Sequence, residues 1–409
     1  MPSSRAIAEK IADTLDPFLP PQFTEGNRIR VLGTALAYFP AVLEAISQAR
    51  SSVHLETYIF ADDPTGHTVL AALEAAAQRG VEVRMLIDGF GSGEYARRLR
   101  QRYGGVGPLQ VRIFRPERWW RPQPSLFRRL HRKIVVVDDR IAFVGGINVE
   151  EDPARDEATG EALGPRFDVT VSCVGPMVAS IAFAVRRLWW AVGVANMGVM
   201  SEPPPRREPA AAPDATGVRA ALVLRDNLRH RHSIERAYLA AIRSARQQIL
   251  VACAYFLPGR RFRAALVRAA RRGVRVRLVL QGRMRHRVQH HAQRALYGQL
   301  IAAGIEIHEY QRSYLHAKVA VVDENWATVG SSNIDPLSLL LAREANVVVR
   351  DRAFSNQLRT LIESAIQSDS RTLRAADLAR RSWTERVTDW MAYGLMRVAT
   401  VVVARGRNY

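Results

Sequence analysis

Two stretches of the chain carry the same residue types at the same spacing, and these residues suit chemistry on a phosphate. The first motif, HRKIVVVDDRIAFVGGIN, begins at His131, and the second motif, HAKVAVVDENWATVGSSN, begins at His316. Each holds a histidine, a lysine two positions later, an aspartate, two small residues and an asparagine. The paired positions are His131 and His316, Lys133 and Lys318, Asp138 and Asp323, Gly145 and Gly330, Gly146 and Ser331, and Asn148 and Asn333.

The lysines of the two motifs stand out in an arginine-rich chain. Lysine and arginine together number 59, but lysine occurs only at Lys10, Lys133 and Lys318. Lysine is a compact point charge on a flexible stem, whereas arginine is a broad planar fork. A position that excludes arginine in this chain therefore indicates a tight pocket that needs a small cation.

Strand geometry predicts how each motif presents its polar groups. The apolar run after each histidine is typical of a buried strand, on which residues two apart point to the same face. His131 then lies beside Lys133, and His316 beside Lys318. The small pairs allow a second strand to return close by, which brings Asn148 and Asn333 near the same anion. Lysine and amide donors of this kind match the negative oxygens of one phosphate.

The paired motifs resemble the HKD motif of the phospholipase D superfamily. The layout from Gly26 to about Val349, including HLETYIF around Glu56 and Tyr58, is similar to bacterial cardiolipin synthases of the kind without N-terminal transmembrane helices. The resemblance implies that both motifs meet at one site. It also implies that an acid after each motif hydrogen-bonds its catalytic histidine, and Asp168 and Glu344 are the candidates. Asp138 and Asp323 lie at the far end of each strand, where a fold-supporting role is expected.

A two-step exchange is the mechanism that we expect. By analogy with the relatives, His131 attacks the phosphorus and forms a phosphohistidine, while His316 protonates the leaving alcohol and then deprotonates the incoming one. Lys133 and Lys318 neutralise the phosphate oxygens, so no metal or other cofactor is expected. A zinc pair at His286 and His290 is conceivable, but a basic helix or loop beside the cleft is favoured.

The hydrophobic pattern predicts an α/β fold built from two duplicated α/β/α sandwich halves. Strands and helices alternate in both halves, and RGVEVRMLID at Arg79 matches RGVRVRLVLQ at Arg272. Two such halves can pack about a pseudo-two-fold axis, with the active site at their interface. The expected divisions are an N-terminal amphipathic segment (1–25), the first half (26–197), a linker rich in proline, alanine and arginine (198–217), the second half (218–370) and a C-terminal amphipathic tail (371–409).

The charge and two aromatic segments favour a membrane surface. The net charge of +20 attracts polyanions, which include anionic bilayers and nucleic acids. The tail carries an apolar helical face with aromatic residues and flanking arginines, as interfacial helices do, although docking on the protein is the alternative. The segment before His131 could dip into a bilayer or stack on single-stranded bases. The candidate membrane-binding residues are Trp119, Trp120, Trp383, Trp390, Tyr393 and Leu395.

The function expected from the resemblance is a phosphatidyltransferase that joins two phosphatidylglycerols into cardiolipin and releases glycerol. The alternatives are phospholipase D activity or phosphatidyl transfer to a small alcohol, and a nuclease or other phosphodiesterase acting on DNA or RNA. The expected partners are an anionic phospholipid membrane and phosphatidylglycerol, with nucleic acid disfavoured and no protein partner predicted. The N-terminus has neither the signal-peptide pattern nor an apolar span, so a peripheral position on the cytoplasmic face of a bacterial inner membrane is expected.

Overall fold

The computed structural model describes residues 22–405, apart from 116–128, 153–154, 157–158, 198–202, 206–211, 227–229, 285, 336–337 and 339–341. These residues form two α/β halves that share one sheet. In the first half the strands are β1 (Thr24–Leu32), β2 (Ser52–Thr57), β3 (Glu82–Asp88), β4 (Leu109–Phe114), β5 (Ile134–Val137), β6 (Ile141–Gly145) and β7 (Thr170–Val174). Its helices are α1 (Ala35–Ser47), α2 (Pro64–Gln78), α3 (Gly93–Tyr103) and α4 (Met177–Met197).

The second half repeats this order. Its strands are β8 (Val218–Arg225), β9 (Gln248–Cys253), β10 (Arg275–Gln281), β11 (Glu306–Tyr310), β12 (Lys318–Val322), β13 (Trp326–Gly330), β14 (Glu344–Arg350) and β15 (Ser370–Leu373). Its helices are α5 (Ser233–Ser244), α6 (Arg260–Arg271), α7 (Arg287–Arg294), α8 (Tyr297–Ala302), α9 (Arg352–Asp369), α10 (Ala375–Ala379) and α11 (Trp383–Arg405). The predicted α/β class and duplication are confirmed.

The strand order makes the pseudo-two-fold symmetry explicit. Among the described residues, the sheet runs β15-β11-β10-β9-β12-β13-β14-β8-β1-β7-β6-β5-β2-β3-β4. Outward from the central antiparallel β8–β1 pair, each half continues with the same sequence of equivalent strands. In both halves three consecutive strands far from the axis pair in parallel, and the others pair antiparallel, including β15 at the edge of the second half. The two motif strands, β5 and β12, therefore occupy equivalent places on either side of the symmetry axis.

Alternating side chains place apolar residues on both faces of the motif strands. In β5, Ile134 and Val136 belong to a core that spans both halves, whereas Val135 and Val137 pack against α1 to α3. In β12, the side chain of Val319 enters that shared core, and the opposite face packs under α5 to α8. The shared core contains α4 and α9, so each half has helices on both faces of its strands.

The C-terminal tail that the sequence predicts begins within a short strand of the sheet. The tail was expected from residue 371, but Ser370–Leu373 forms β15, which pairs antiparallel with β11. The edge of β11 offers unpaired backbone groups, and this short strand satisfies them. The described parts of the predicted linker, 203–205 and 212–217, contain no helix or strand. The predicted N-terminal segment lies almost entirely outside the described residues.

Candidate active site

Both motif histidines lie just before a buried strand, at the junction of the two halves. The backbone N–H of His131 donates to the carbonyl of Arg343, 3.0 Å away, in the second half. The N–H of His316 donates to the carbonyl of Phe167, 2.8 Å away, in the first half. Each histidine segment is therefore held against the half that it does not belong to, which brings both motifs to one interface.

The two expected acids contact the histidines in a crossed arrangement. The Nδ1 atom of His131 lies 3.0 Å from one carboxylate oxygen of Glu344 and 3.1 Å from the other. The Nδ1 atom of His316 lies 2.6 Å from Oδ2 of Asp168. Each carboxylate orients the histidine of the opposite half, so neither pair forms in an isolated half. With Nδ1 engaged, proton or phosphoryl transfer has to use Nε2 of each ring.

The small residues of the motifs make room for these acids. A side chain at Gly146 would collide with the carboxylate of Asp168. The equivalent position in the second motif holds Ser331, whose hydroxyl donates to Glu344 at 2.5 Å. In the first motif Gly146 thus leaves room for the carboxylate of Asp168. In the second motif Ser331 instead forms a hydrogen bond with Glu344.

The two lysines are buried beside the histidines. Lys133 is 3% exposed and Lys318 is 1% exposed. The ammonium of Lys133 donates to the carbonyl of His131 at 2.8 Å, and Lys318 donates likewise to the carbonyl of His316. Burial and, to a smaller extent, the charge of Lys318 lower the pKa of Lys133 to about 7. Because the two cations influence each other in this way, they belong to one electropositive site.

The protonation of the site follows from burial and from its internal charges. Burial lowers the pKa of His131, an effect that Glu344 opposes and the lysine charges reinforce. A lowered pKa favours the neutral imidazole, which is the nucleophilic form. Burial raises the pKa of Asp168 to about 6, although Lys318 and the backbone N–H of Val169 act in the opposite direction. Asp168 is therefore ionised at neutral pH, where it can stabilise a protonated His316.

The two motif asparagines are buried, and their amides already have partners. The amide nitrogen of Asn148 donates to Glu150 at 3.0 Å, and its oxygen accepts from the backbone N–H of Ile59 at 3.4 Å. The oxygen of Asn333 lies 4.0 Å from the thiol of Cys253, which donates to it. Phosphate binding by these amides remains a prediction, and for Asn148 it requires a rearrangement of its contact with Glu150.

The two motif aspartates support the fold away from the histidines. Asp138 accepts hydrogen bonds from the backbone N–H groups of Arg50, Ser51 and Ser52 at 2.8–2.9 Å. Asp323 accepts the equivalent bonds from residues 246, 247 and 248. Both aspartates adopt positive φ angles, of 54° and 51°. Each carboxylate therefore ties the turn after a motif strand to the start of the neighbouring strand.

The structure places three further residues at the motifs. For Tyr58 the sequence left open a choice between cleft lining and core packing, and it gave no site role to Asp88 and Gln281. The ring of Tyr58 lies 5.1 Å from the ring of His131 and 5.4 Å from the ammonium of Lys133. Asp88 accepts from the N–H of Leu130 at 2.7 Å, directly before His131. Gln281 accepts from the N–H that directly precedes His316, at 2.5 Å. The match between RGVEVRMLID and RGVRVRLVLQ aligns Asp88 with Gln281 and was the signal available for these two.

A shallow pocket opens beside one of the two histidines. His316 and Asp168 line it, together with the polar side chains of Asn148, Glu150, Asp152 and Arg166 and the apolar side chains of Ala35 and Ile147. Glu150 and Asp152 are largely buried, with side chains 18% and 7% exposed. Sequence reasoning did not single out Glu150, Asp152 or Arg166.

The predicted tail forms helix α11, which has an exposed apolar face. Trp383, Trp390 and Leu395 are 74%, 59% and 60% exposed. Three more exposed apolar side chains lie along the same face, at Val387, Met391 and Val398. Tyr393 is half-buried against the core of the second half, where the guanidinium of Arg263 lies 5.9 Å from its ring. Trp119 and Trp120 lie outside the described residues.

Helix α11 is attached to the second half through a buried aspartate. Asp389 is 2% exposed and lies 2.8 Å from Nδ1 of His291 on α7. It also lies 2.5 Å from the guanidinium of Arg381, which precedes the helix. These charge-assisted contacts hold one face of α11 on the protein and leave the apolar face outward.

Comparison with known proteins gives consistent matches. The family model described as "Cardiolipin synthase, PLD-like domain" matches residues 42–157 and 238–366. Cardiolipin synthase B of Escherichia coli K12 is 38% identical over 385 residues, which cover 91% of this chain and 88% of that protein. Cardiolipin synthase A of Pseudomonas putida GB-1 is 32% identical over 358 residues, or 86% of this chain and 71% of that protein.

The fold is also similar to a solved structure of low sequence identity. A phosphatidylserine synthase of Haemophilus influenzae matches with a TM-score of 0.68 at 12% identity, covering 97% of this chain and 98% of that one. At this identity the likeness concerns the arrangement of the two halves and not the substrate.

Proposed function

This chain belongs to the cardiolipin synthase family of phospholipase D-like proteins, and on that premise we propose that it is a phosphatidyltransferase that joins two phosphatidylglycerols and releases glycerol. The relatives named cardiolipin synthase cover most of its length. The observation that carries the proposal is the crossed pairing of the histidines with Glu344 and Asp168. This pairing creates two oriented imidazoles at one interface, with two buried lysines beside them.

The first step transfers the phosphatidyl group to the enzyme. Nε2 of His131 attacks the phosphorus, so that an N–P bond forms and the O–P bond to the leaving glycerol breaks. His316, protonated and stabilised by Asp168, gives its Nε2 proton to the glycerol oxygen. The two lysine ammonium groups lie where negative charge develops on the phosphoryl oxygens.

The second step is the reverse chemistry with a new alcohol. His316, now neutral, accepts the proton of a hydroxyl on a second phosphatidylglycerol. That oxygen forms a bond to phosphorus while the N–P bond to His131 breaks. The sum of the two steps exchanges one phosphodiester for another, so it needs no oxidant and no hydrolysis of a high-energy bond.

A product assay tests this proposal. Vesicles of labelled phosphatidylglycerol are incubated with the protein, and the lipids are separated and identified by mass spectrometry. We expect cardiolipin and free glycerol, both absent with His131→Ala and with His316→Ala. Phosphatidic acid without cardiolipin would instead support phospholipase D activity. Cleavage of single-stranded DNA without any lipid product would support a nuclease.

We also propose that the protein is peripheral and binds the cytoplasmic face of an anionic bacterial inner membrane. The exposed apolar face of α11, with its two tryptophans, suits the interfacial region of a bilayer. The net charge of +20 adds attraction to anionic lipids. In the described part of the chain, the helix that is long and apolar enough to span a membrane covers Met177–Ala195, and two-thirds of it is buried in the protein. That burial is typical of a core helix.

A further inference from the structure

We propose that the hydroxyl of Tyr58 is a further catalytic donor, which hydrogen-bonds a non-bridging oxygen of the phosphodiester during transfer. This inference rests on the proposed phosphatidyl transfer and deepens it, because it assigns a substrate contact to a residue outside both motifs.

The motif residues leave the phosphate short of hydrogen-bond donors. The amide nitrogen of Asn148 already donates to Glu150 at 3.0 Å. Lys133 and Lys318 each use one N–H on the carbonyl of a motif histidine. Negative charge grows on the non-bridging oxygens in the transition state, and fixed donors aimed at it accelerate the reaction. One more donor beside the nucleophile would therefore contribute to the rate.

Tyr58 lies where such a donor is needed. Its ring is 5.1 Å from the ring of His131 and 5.4 Å from the ammonium of Lys133. The side chain is only partly buried, so it borders the open part of the site. A phosphate bound to this histidine and this lysine is thus next to the tyrosine.

The hydroxyl of Tyr58 is a neutral donor that the protein leaves available. Within the described part of the chain it forms no hydrogen bond. Burial and the charge of Asp88 raise the pKa of Tyr58 to about 12, although Arg129 acts in the opposite direction. The phenol therefore keeps its proton at neutral pH, as a hydrogen-bond donor must.

One loop after β3 fixes Tyr58 relative to His131. The hydroxyl of Ser92 donates to the carbonyl of Tyr58 at 3.2 Å. A side chain at Gly91 would collide with both the carbonyl and the ring of Tyr58, so the loop packs closely on it. Asp88, at the end of β3, accepts from the backbone N–H directly before His131 at 2.7 Å. The spacing of the tyrosine and the histidine is therefore set before the substrate binds.

The second half lacks an equivalent donor. The registers of β2 against β5 and of β9 against β12 place Ala254 at the position that corresponds to Tyr58. The equivalent strand end thus forms with an alanine, so the fold does not require a tyrosine there. The hydroxyl is confined to the side of His131, the histidine that carries the phosphorus in the proposed first step.

Removal of the hydroxyl tests the assignment. Tyr58→Phe keeps the ring, and the matched control Tyr95→Phe removes a hydroxyl from another partly buried tyrosine, on α3 of the same half. The rate of glycerol release from phosphatidylglycerol vesicles is measured, because glycerol leaves in the first step whatever acceptor follows. We expect kcat to fall about 10-fold to 100-fold in Tyr58→Phe, as for the loss of one hydrogen bond to a charged oxygen. The control should match the wild type.

A sulfur substitution shows whether the hydroxyl contacts the phosphate. Phosphatidylglycerol with sulfur in place of one non-bridging oxygen exists as two diastereomers, and sulfur is a weak hydrogen-bond acceptor. For one diastereomer the rates of wild type and Tyr58→Phe should differ by less than about threefold, because the wild type no longer gains from the hydroxyl. For the other diastereomer the full difference should remain.

The outcomes separate this proposal from the proposed function. Equal kcat values for Tyr58→Phe and the wild type overturn the tyrosine donor. A loss of rate that is the same with oxygen and with both sulfur diastereomers also overturns it, because the hydroxyl would then act through the fold. A wild type that releases glycerol without making cardiolipin refutes transfer between lipids, while the comparison of release rates still tests Tyr58. A wild type that releases no glycerol refutes both.

Discussion

Replacement of Lys133 by methionine is expected to stabilise the protein while abolishing transfer. The ammonium of Lys133 is 3% exposed, and both burial and the charge of Lys318 lower its pKa from 10.5 to about 7. A depressed lysine pKa means that the folded state binds the proton less tightly than the unfolded state does. Folding therefore carries a penalty wherever the unfolded chain is protonated at this position.

The magnitude follows from that pKa difference. Each pKa unit corresponds to about 1.4 kcal/mol, so the full difference of about 3.5 units sets a ceiling of about 5 kcal/mol. Methionine also removes the bond from Lys133 to the carbonyl of His131, which costs about 1–3 kcal/mol. The net expectation is a gain of about 2–4 kcal/mol at pH 6, within the range of about 1–4 kcal/mol known for apolar replacement of buried charges.

The difference in stability between Lys133→Met and the wild type should also depend on pH in a specific way. Below about pH 7 both states are protonated at Lys133 and the penalty is complete. Between about pH 7 and 10.5 the folded state is neutral while the unfolded state is charged, so the penalty shrinks as the pH rises. At pH 9.5 about 1 kcal/mol remains, and the advantage of Lys133→Met should vanish.

Urea unfolding at pH 6, 8 and 9.5 measures this advantage. Arg30→Met, at an exposed position on β1, is the matched control and should change the free energy of unfolding by less than about 0.5 kcal/mol at each pH. A Lys133→Met protein that is less stable than the wild type at pH 6 would refute the reasoning. So would a gain in stability that is the same at pH 6 and pH 9.5.

Three further predictions address the acids and the tail. Asp168→Asn should lower kcat about 100-fold to 10,000-fold. It should also remove the loss of activity that we expect of the wild type as the pH falls through about 6, where Asp168 becomes protonated; a pH–rate profile with an unchanged acid limb would contradict this. Asp138→Ala should lower the free energy of unfolding by about 1–3 kcal/mol and leave the activity per folded molecule unchanged. A denaturant titration and an active-site count measure the two quantities, and a loss of activity per folded molecule would mean that the residue is catalytic. Trp390→Ser combined with Leu395→Ser should weaken binding to anionic vesicles about 100-fold but leave turnover of short-chain soluble phosphatidylglycerol unchanged. Unchanged sedimentation of the double variant with vesicles would exclude α11 as the membrane contact.

Much of the fold was predictable because its signals are local. Apolar periodicity and terminal glycines located most helices and strands to within a few residues. The matched runs at Arg79 and Arg272 revealed the duplication. The strand at the start of the predicted tail was not foreseen, because β15 is only four residues long and pairs with a strand far away in sequence. Four residues carry too little pattern to mark a strand.

The residues of the site could be predicted from the sequence, but the contacts between them could not. The types and spacing of the motif residues identified the histidines and lysines as one chemical group. The hydrogen bond between Asp168 of the first half and His316 of the second half depends on how the halves pack, which no local sequence pattern indicates. The acids of the pocket were missed for a related reason. Glu150 lies close to its motif, but its relevance depends on the histidine of the other half.

Trapping the covalent intermediate tests the central claim most directly. The protein is mixed rapidly with phosphatidylglycerol, denatured under alkaline conditions that preserve phosphohistidine, digested and mapped by mass spectrometry. The account predicts a phosphatidyl adduct on His131 that is absent from His131→Ala. An adduct on His316 alone would reverse the two roles, and cardiolipin formed with no adduct on either histidine would contradict exchange through a site shared by both halves.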